Sequence, residues 1–190
     1  MDRRQRIANA GIALIARGGT HRLTHRAVDT EAGLPNGSTS YYARSRRDLI
    51  RLVMEQLSAE SQADLTDIEV PGKLTVRQAT DLVGRLAERL ILNGDAQAAR
   101  FALMFEVRDD DELRRELTVD APVRRSFDKK AVELLRALGV ADPEEKAPEF
   151  VALVDAVLMY RAVDAAPIDP AGVVGTYLTG LVRRKPTAAR

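Results

Sequence analysis

The chain has 190 residues, 45% apolar and 30% charged, the balance of a folded body large enough to bury most of its unfolded surface. It has no cysteine, which excludes disulfides, thiolate metal sites and a cysteine nucleophile, and no apolar run long enough to cross a bilayer. The net charge of +1 hides an asymmetry: residues 1–47 hold nine arginines against three acids, +6, so the remaining residues sum to −5. A basic end on an acidic body implies a polyanionic partner for that end alone.

Taken in chain order, Ile7, Gly11, Leu14 and Ile15 have the i, i+4, i+7, i+8 spacing of an amphipathic helix over 3–17, which Gly18 and Gly19 end. Thr24 is an N-cap for a short helix over 25–31, with Ala27 and Val28 on its apolar side. Gly33 breaks it, Leu34 is an apolar plug, and a third short helix over 37–43 carries Ser38, Thr39, Ser40, Tyr41 and Tyr42. Ser45 caps a long helix over 46–65 whose Ile50, Val53, Met54 and Leu57 share a face. After the Val70-Pro71-Gly72 turn, helical patterns run over 75–93, 96–107, 110–138, 146–163 and 170–184, with Pro122 placed to kink or split the third. Residues 186–190 read as a frayed tail, and no alternating strand pattern or repeat is present. The fold class expected is all-α, about nine helices, with a three-helix domain over 1–47 and a larger helical domain over 48–185.

Two short helices joined by a glycine-containing turn describe a helix-turn-helix. The major groove admits one helix, and a reading helix needs short hydroxyls or aromatics near its start. Ser38, Thr39 and Tyr41 suit base edges, while Tyr42, Arg44 and Arg46 suit phosphates, and Thr24 suits a phosphate at a helix N-terminus. A packing account also stands for Tyr41 and Tyr42 as core aromatics.

The stretch from Leu23-Thr24-His25-Arg26-Ala27-Val28 through Glu31-Ala32-Gly33-Leu34-Pro35-Asn36-Gly37-Ser38-Thr39-Ser40-Tyr41-Tyr42-Ala43-Arg44-Ser45-Arg46-Arg47-Asp48-Leu49 resembles the signature of tetracycline-repressor-type (TetR family) regulators. The resemblance covers about 45 residues and implies a homodimeric transcriptional repressor that binds double-stranded operator DNA and is released by a small apolar effector. It implies DNA contacts from Thr24, His25, Arg26, Asn36, Gly37, Ser38, Thr39, Tyr41, Tyr42, Arg44 and Arg46. Pro35 stands where a capping serine is usual, leaving the recognition helix less well capped; Ser40 and Ala43 also depart from the pattern.

The same resemblance makes the helices after 46 a ligand-binding and dimerisation body. Leu82, Leu86, Phe101, Met104, Phe105, Phe127, Met159 and Tyr160 are the pocket-wall candidates, and equally they are ordinary core residues. For the dimer interface Val154, Leu158, Val174, Tyr177, Leu178 and Leu181 are the candidates, because the last helix is apolar over more width than one neighbour covers. The run Asp109 to Glu112 reads as an exposed acidic helix start rather than a metal site.

No cofactor and no membrane are expected, and a cytoplasmic location follows from the missing signal-peptide pattern. Against an enzyme, the chain has no glycine-rich phosphate loop, no nucleophile elbow and only two histidines, both in the basic end. A ligand-independent or ligand-activated DNA-binding regulator, and a helical protein-interaction module, are the alternatives.

Overall fold

A computed structural model describes residues 2–183, so the expected tail at 186–190 lies outside the described residues. Helix α1 (Arg3–Gly18) starts at a capping box in which Asp2 and Gln5 satisfy each other's backbone amides. It ends where the Gly19 amide donates to the Ile15 carbonyl at 2.7 Å. A single 3-10 turn at Thr20–Arg22, absent from the sequence reading, leads to α2 (His25–Glu31) and α3 (Ser38–Tyr42). The long α4 (Arg46–Thr66) begins at a reciprocal cap between Ser45 and Asp48.

Helices α5 (Val76–Leu92), α6 (Gly94–Glu106), α7 (Asp111–Leu117), α8 (Pro122–Ala137), α9 (Pro143–Ala162) and α10 (Pro170–Arg183) complete an all-α chain. The pattern over 110–138 is split, as the position of Pro122 allows: α7 ends at Leu117, and Pro122, with no amide to satisfy, opens α8. Among the described residues no helix is long and apolar enough to cross a membrane.

The chain divides into two compact units, Met1–Gln62 with Asn93–Val123, and Ala63–Leu92 with Arg124–Arg190. In the first, α1 packs chiefly on α6, and Ile7, Ile15, Leu23, Val28, Leu49 and Val53 share one core with Ala99, Leu103 and Val107. The second is built around the α5–α10 pair, whose core includes Ala79, Val83, Leu135, Phe150, Val174 and Leu178. Phe150 and Tyr177 stack there with ring centroids 5.9 Å apart.

In the first unit the closest approach is at Gly11, where an added Cβ would lie 2.5 Å from Val53 Cγ2 and 3.1 Å from Leu23 Cδ1. Both neighbours are buried core side chains. Overpacking costs about 1–3 kcal/mol, against a helix-propensity gain of about 1 kcal/mol over glycine. Gly11→Ala is therefore expected to lower the urea midpoint at unchanged slope; an unchanged or raised midpoint would show that the contact relaxes without cost.

Candidate nucleic-acid interface

Helix α2 is capped by Thr24, whose hydroxyl accepts from the Ala27 amide at 3.2 Å. The chain then turns through Gly33 to Gly37, and Gly37 takes φ 92°, a left-handed conformation that costs glycine little. Helix α3 has no side-chain cap of its own at Gly37. The cap comes from α2. The Asp29 carboxylate, 1% exposed, accepts from the Gly37 amide at 2.7 Å, the Thr39 amide at 2.7 Å and the Thr39 hydroxyl at 2.6 Å. One buried anion thus replaces the capping serine missing at Pro35 and ties the two short helices together. Burial acts to raise the Asp29 pKa, but the hydrogen bonds from Thr39 and Gly37, with the nearby charge of His25, outweigh it and hold the carboxyl below its ordinary value.

Several expected DNA contacts are exposed: Arg26, Asn36, Gly37, Tyr41, Tyr42 and Arg44 all face outward, as does Thr24. Tyr41 is 84% exposed and meets Tyr42 edge-to-face, with centroids 5.3 Å apart and planes at 76°. Neither ring is a core aromatic. Three side chains are placed differently from the expectation. Thr39 is fully buried, its hydroxyl spent on Asp29. Ser38 is half-buried and donates its hydroxyl to the Pro35 carbonyl at 2.6 Å. His25 is half-buried, and its Nε2 donates to the Ala43 carbonyl at 2.8 Å.

Arg46, expected on a phosphate, is exposed and hydrogen-bonds to its own protein. Its guanidinium donates to the Leu23 carbonyl at 2.6 Å, the Thr20 carbonyl at 2.9 Å and Glu106 Oε1 at 2.8 Å. Glu106 also accepts from the Thr20 hydroxyl at 2.7 Å, and the Arg46 and Thr20 hydrogen bonds keep its pKa below the usual value. This node fastens the start of α4 and the end of α6 to the turn that precedes α2.

Beside it runs a ladder. Arg47 pairs with Asp110 and Glu112, and Arg51 pairs with Glu112 and Glu116. The Asp109 to Glu112 run is thus more than an exposed helix start. Asp110 caps α7 through the Leu113 amide, and the Arg47 hydrogen bond pulls its carboxyl down to about 2.

The pocket candidates fall in both units. In the first, Phe101 is a buried core residue under the Arg100 guanidinium, while Met104 and Phe105 are exposed, Phe105 by 74%. In the second, Leu82, Leu86, Phe127 and Met159 are half-buried, and Tyr160 is exposed. Of the dimer candidates, Leu158, Val174 and Leu178 are buried in the core of their own subunit. Val154, Tyr177 and Leu181 are half-buried against the same core. Helix α10 packs on α5 and α9, and its Val182 is exposed.

A model of the tetracyclin repressor-like C-terminal domain matches residues 74–184. Among solved structures, a member of the TetR family from Streptomyces coelicolor A3 is 24% identical with a TM-score of 0.68, covering 95% of this chain and 98% of that one. A transcriptional regulator from Rhodococcus sp. Rha1 is 14% identical with a TM-score of 0.78, covering 96% and 97%. The multidrug binding protein EbrR, solved with imidazole, is 24% identical with a TM-score of 0.61, covering 100% and 99%. No curated protein matches the chain.

The Asp29 clamp has a pH signature. Because its pKa is depressed in the folded state, its stabilisation is complete above the ordinary aspartate range and disappears as pH falls through the folded value, below about pH 4. Asp29→Asn keeps the shape but turns an amide toward donors, so a loss of roughly 1–3 kcal/mol is expected at pH 7, the cost of an unsatisfied buried group. Denaturation across pH 3–7 should show the gap between the two proteins closing only at the acid end. A gap independent of pH would separate the clamp from the charge of Asp29.

Proposed function

Since the chain belongs to the tetracyclin repressor-like family of transcriptional regulators, we propose that it is a homodimeric repressor whose α2–α3 head binds a pseudo-palindromic operator and is released by a small molecule. The observation that carries the DNA-binding part is the head itself: a helix-turn-helix that turns Tyr41, Tyr42, Arg26 and Arg44 outward on a segment of net charge +6. The major groove accepts the helix and phosphates accept the arginines. Arg46 serves to brace the head, so the phosphate role falls to Arg26 and Arg44.

The dimer reading moves to the opposite face of the last two helices. Ala152, Ala156 and Tyr160 on α9, and Gly172, Thr176 and Gly180 on α10, form outward stripes at helical spacing. A shallow groove of about 530 Å³ follows α10 past Gly172, Thr176 and Gly180. Small side chains let helices approach closely, and a twofold axis across this face would present two heads to two half-sites. For release, a ligand must bind one arrangement of the heads better than the other. The multidrug binding protein EbrR holds imidazole, which supports a small-molecule effector here; the half-buried Leu82, Leu86, Phe127 and Met159 suit an apolar one.

Two measurements test this. On DNA from upstream of its own gene, Arg44→Ala should flatten the slope of log affinity against log salt by about 0.9, the loss of one phosphate contact. An unchanged slope removes Arg44 from the interface, and no binding at any salt removes the DNA-binding reading. Gly180→Glu places a charge where an added Cβ meets nothing within 4 Å in the subunit, so the fold should persist while sedimentation shows monomers and operator affinity falls at least tenfold. A dimer that survives the substitution would place the interface elsewhere.

A further inference from the structure

The proposed interface leaves open what chemistry the recognition helix reads, and the geometry restricts it. The described helix α3 is Ser-Thr-Ser-Tyr-Tyr, without an arginine, lysine, asparagine or glutamine. It therefore has none of the two-point donors and acceptors that select guanine or adenine edges. Two of its three serine and threonine side chains are already engaged: Thr39 by Asp29 and Ser38 by the Pro35 carbonyl. What projects is dominated by Tyr41, 84% exposed, its ring set edge-to-face against Tyr42.

A large ring this exposed on a basic head gains little from water and much from an apolar surface at the bottom of an anionic groove. In the major groove only one base edge offers such a surface, the C5-methyl of thymine. Resting on the DNA-binding reading above, we infer that Tyr41 is a specificity-determining residue that reads a thymine C5-methyl in each half-site through the apolar body of its ring. Tyr42 steadies that ring, and the Asp29 clamp sets the helix that carries it. Sequence preference at the α3 step then comes from a methyl contact, and the neighbouring arginines add affinity without discrimination.

The test uses the full chain and a duplex chosen by in vitro selection. Each thymine is replaced in turn by deoxyuridine, which removes only the methyl. For the wild type, one or two positions per half-site should weaken binding by roughly fourfold, the worth of one buried methyl-sized group. Tyr41→Ala should bind thymine and deoxyuridine duplexes equally. Tyr41→Phe, which keeps the ring, should retain the discrimination. Operator binding by the wild type that ignores every replacement overturns the inference, as does an equal loss in wild type and Tyr41→Ala, which would assign the effect to duplex shape. Loss of discrimination in Tyr41→Phe transfers the reading to the phenol and likewise overturns it. Failure of selection to enrich any duplex strikes at the DNA-binding reading instead.

Discussion

The geometry of the head depends on the Asp29 carboxylate, a charge removed from water that three donors of another segment must satisfy. Burying an isolated carboxylate is prohibitive, so the Gly37 and Thr39 amides and the Thr39 hydroxyl are obliged to converge on it. That obligation sets the turn, seats a five-residue helix too short to stand alone, and decides which of its faces is outward. Thr39 goes in and Tyr41 goes out for the same reason. A purely apolar contact between α2 and α3 would tolerate sliding; a hydrogen-bonded anion does not.

The arginines divide between two tasks that composition alone does not separate. Arg6 donates to the Ala32 carbonyl at the end of α2, Arg17 pairs with Glu31, and Arg46 and Arg47 reach acids and carbonyls of their own unit. These brace the head from behind. Arg26 and Arg44 are exposed side chains available to a partner. Net charge is therefore a fair guide to the kind of partner and a poor guide to the number of contacts with it. Exposed ion pairs contribute little singly, but here several share acids along one seam, so their geometry is mutually enforced.

Much of the fold was legible because helix ends are written locally. Thr24, Ser45, Gly18-Gly19, Pro122 and Pro170 mark termini through caps and missing amides, and those termini are found close to the expected positions. The site was legible only as far as residue type. Nothing near Asp29 distinguishes it from a solvated acid, since its partners lie 8 and 10 residues on and meet it only after the turn forms. Glu106 was still less visible, 60 residues from Arg46. In the last helix, apolar periodicity reports that a face is covered but not by which neighbour. Val174 and Leu178 are covered within the subunit, and the small residues on the other side carried no hydrophobic signal.

The seam between α4 and helices α6 and α7 joins residues 60 to 65 positions apart. The core beneath it likewise takes Ala99, Leu103 and Val107 from well beyond the helix-turn-helix. A ribosome that has released only residues 1–62 has therefore made the whole helix-turn-helix but not the third of the unit that braces it. Chains emerge at about 5–20 residues per second, so for several seconds each new molecule carries an arginine-rich, incompletely packed head. The acids of α6 and α7 arrive later and pair with Arg46, Arg47 and Arg51, so the order of synthesis decides when those three charges are neutralised.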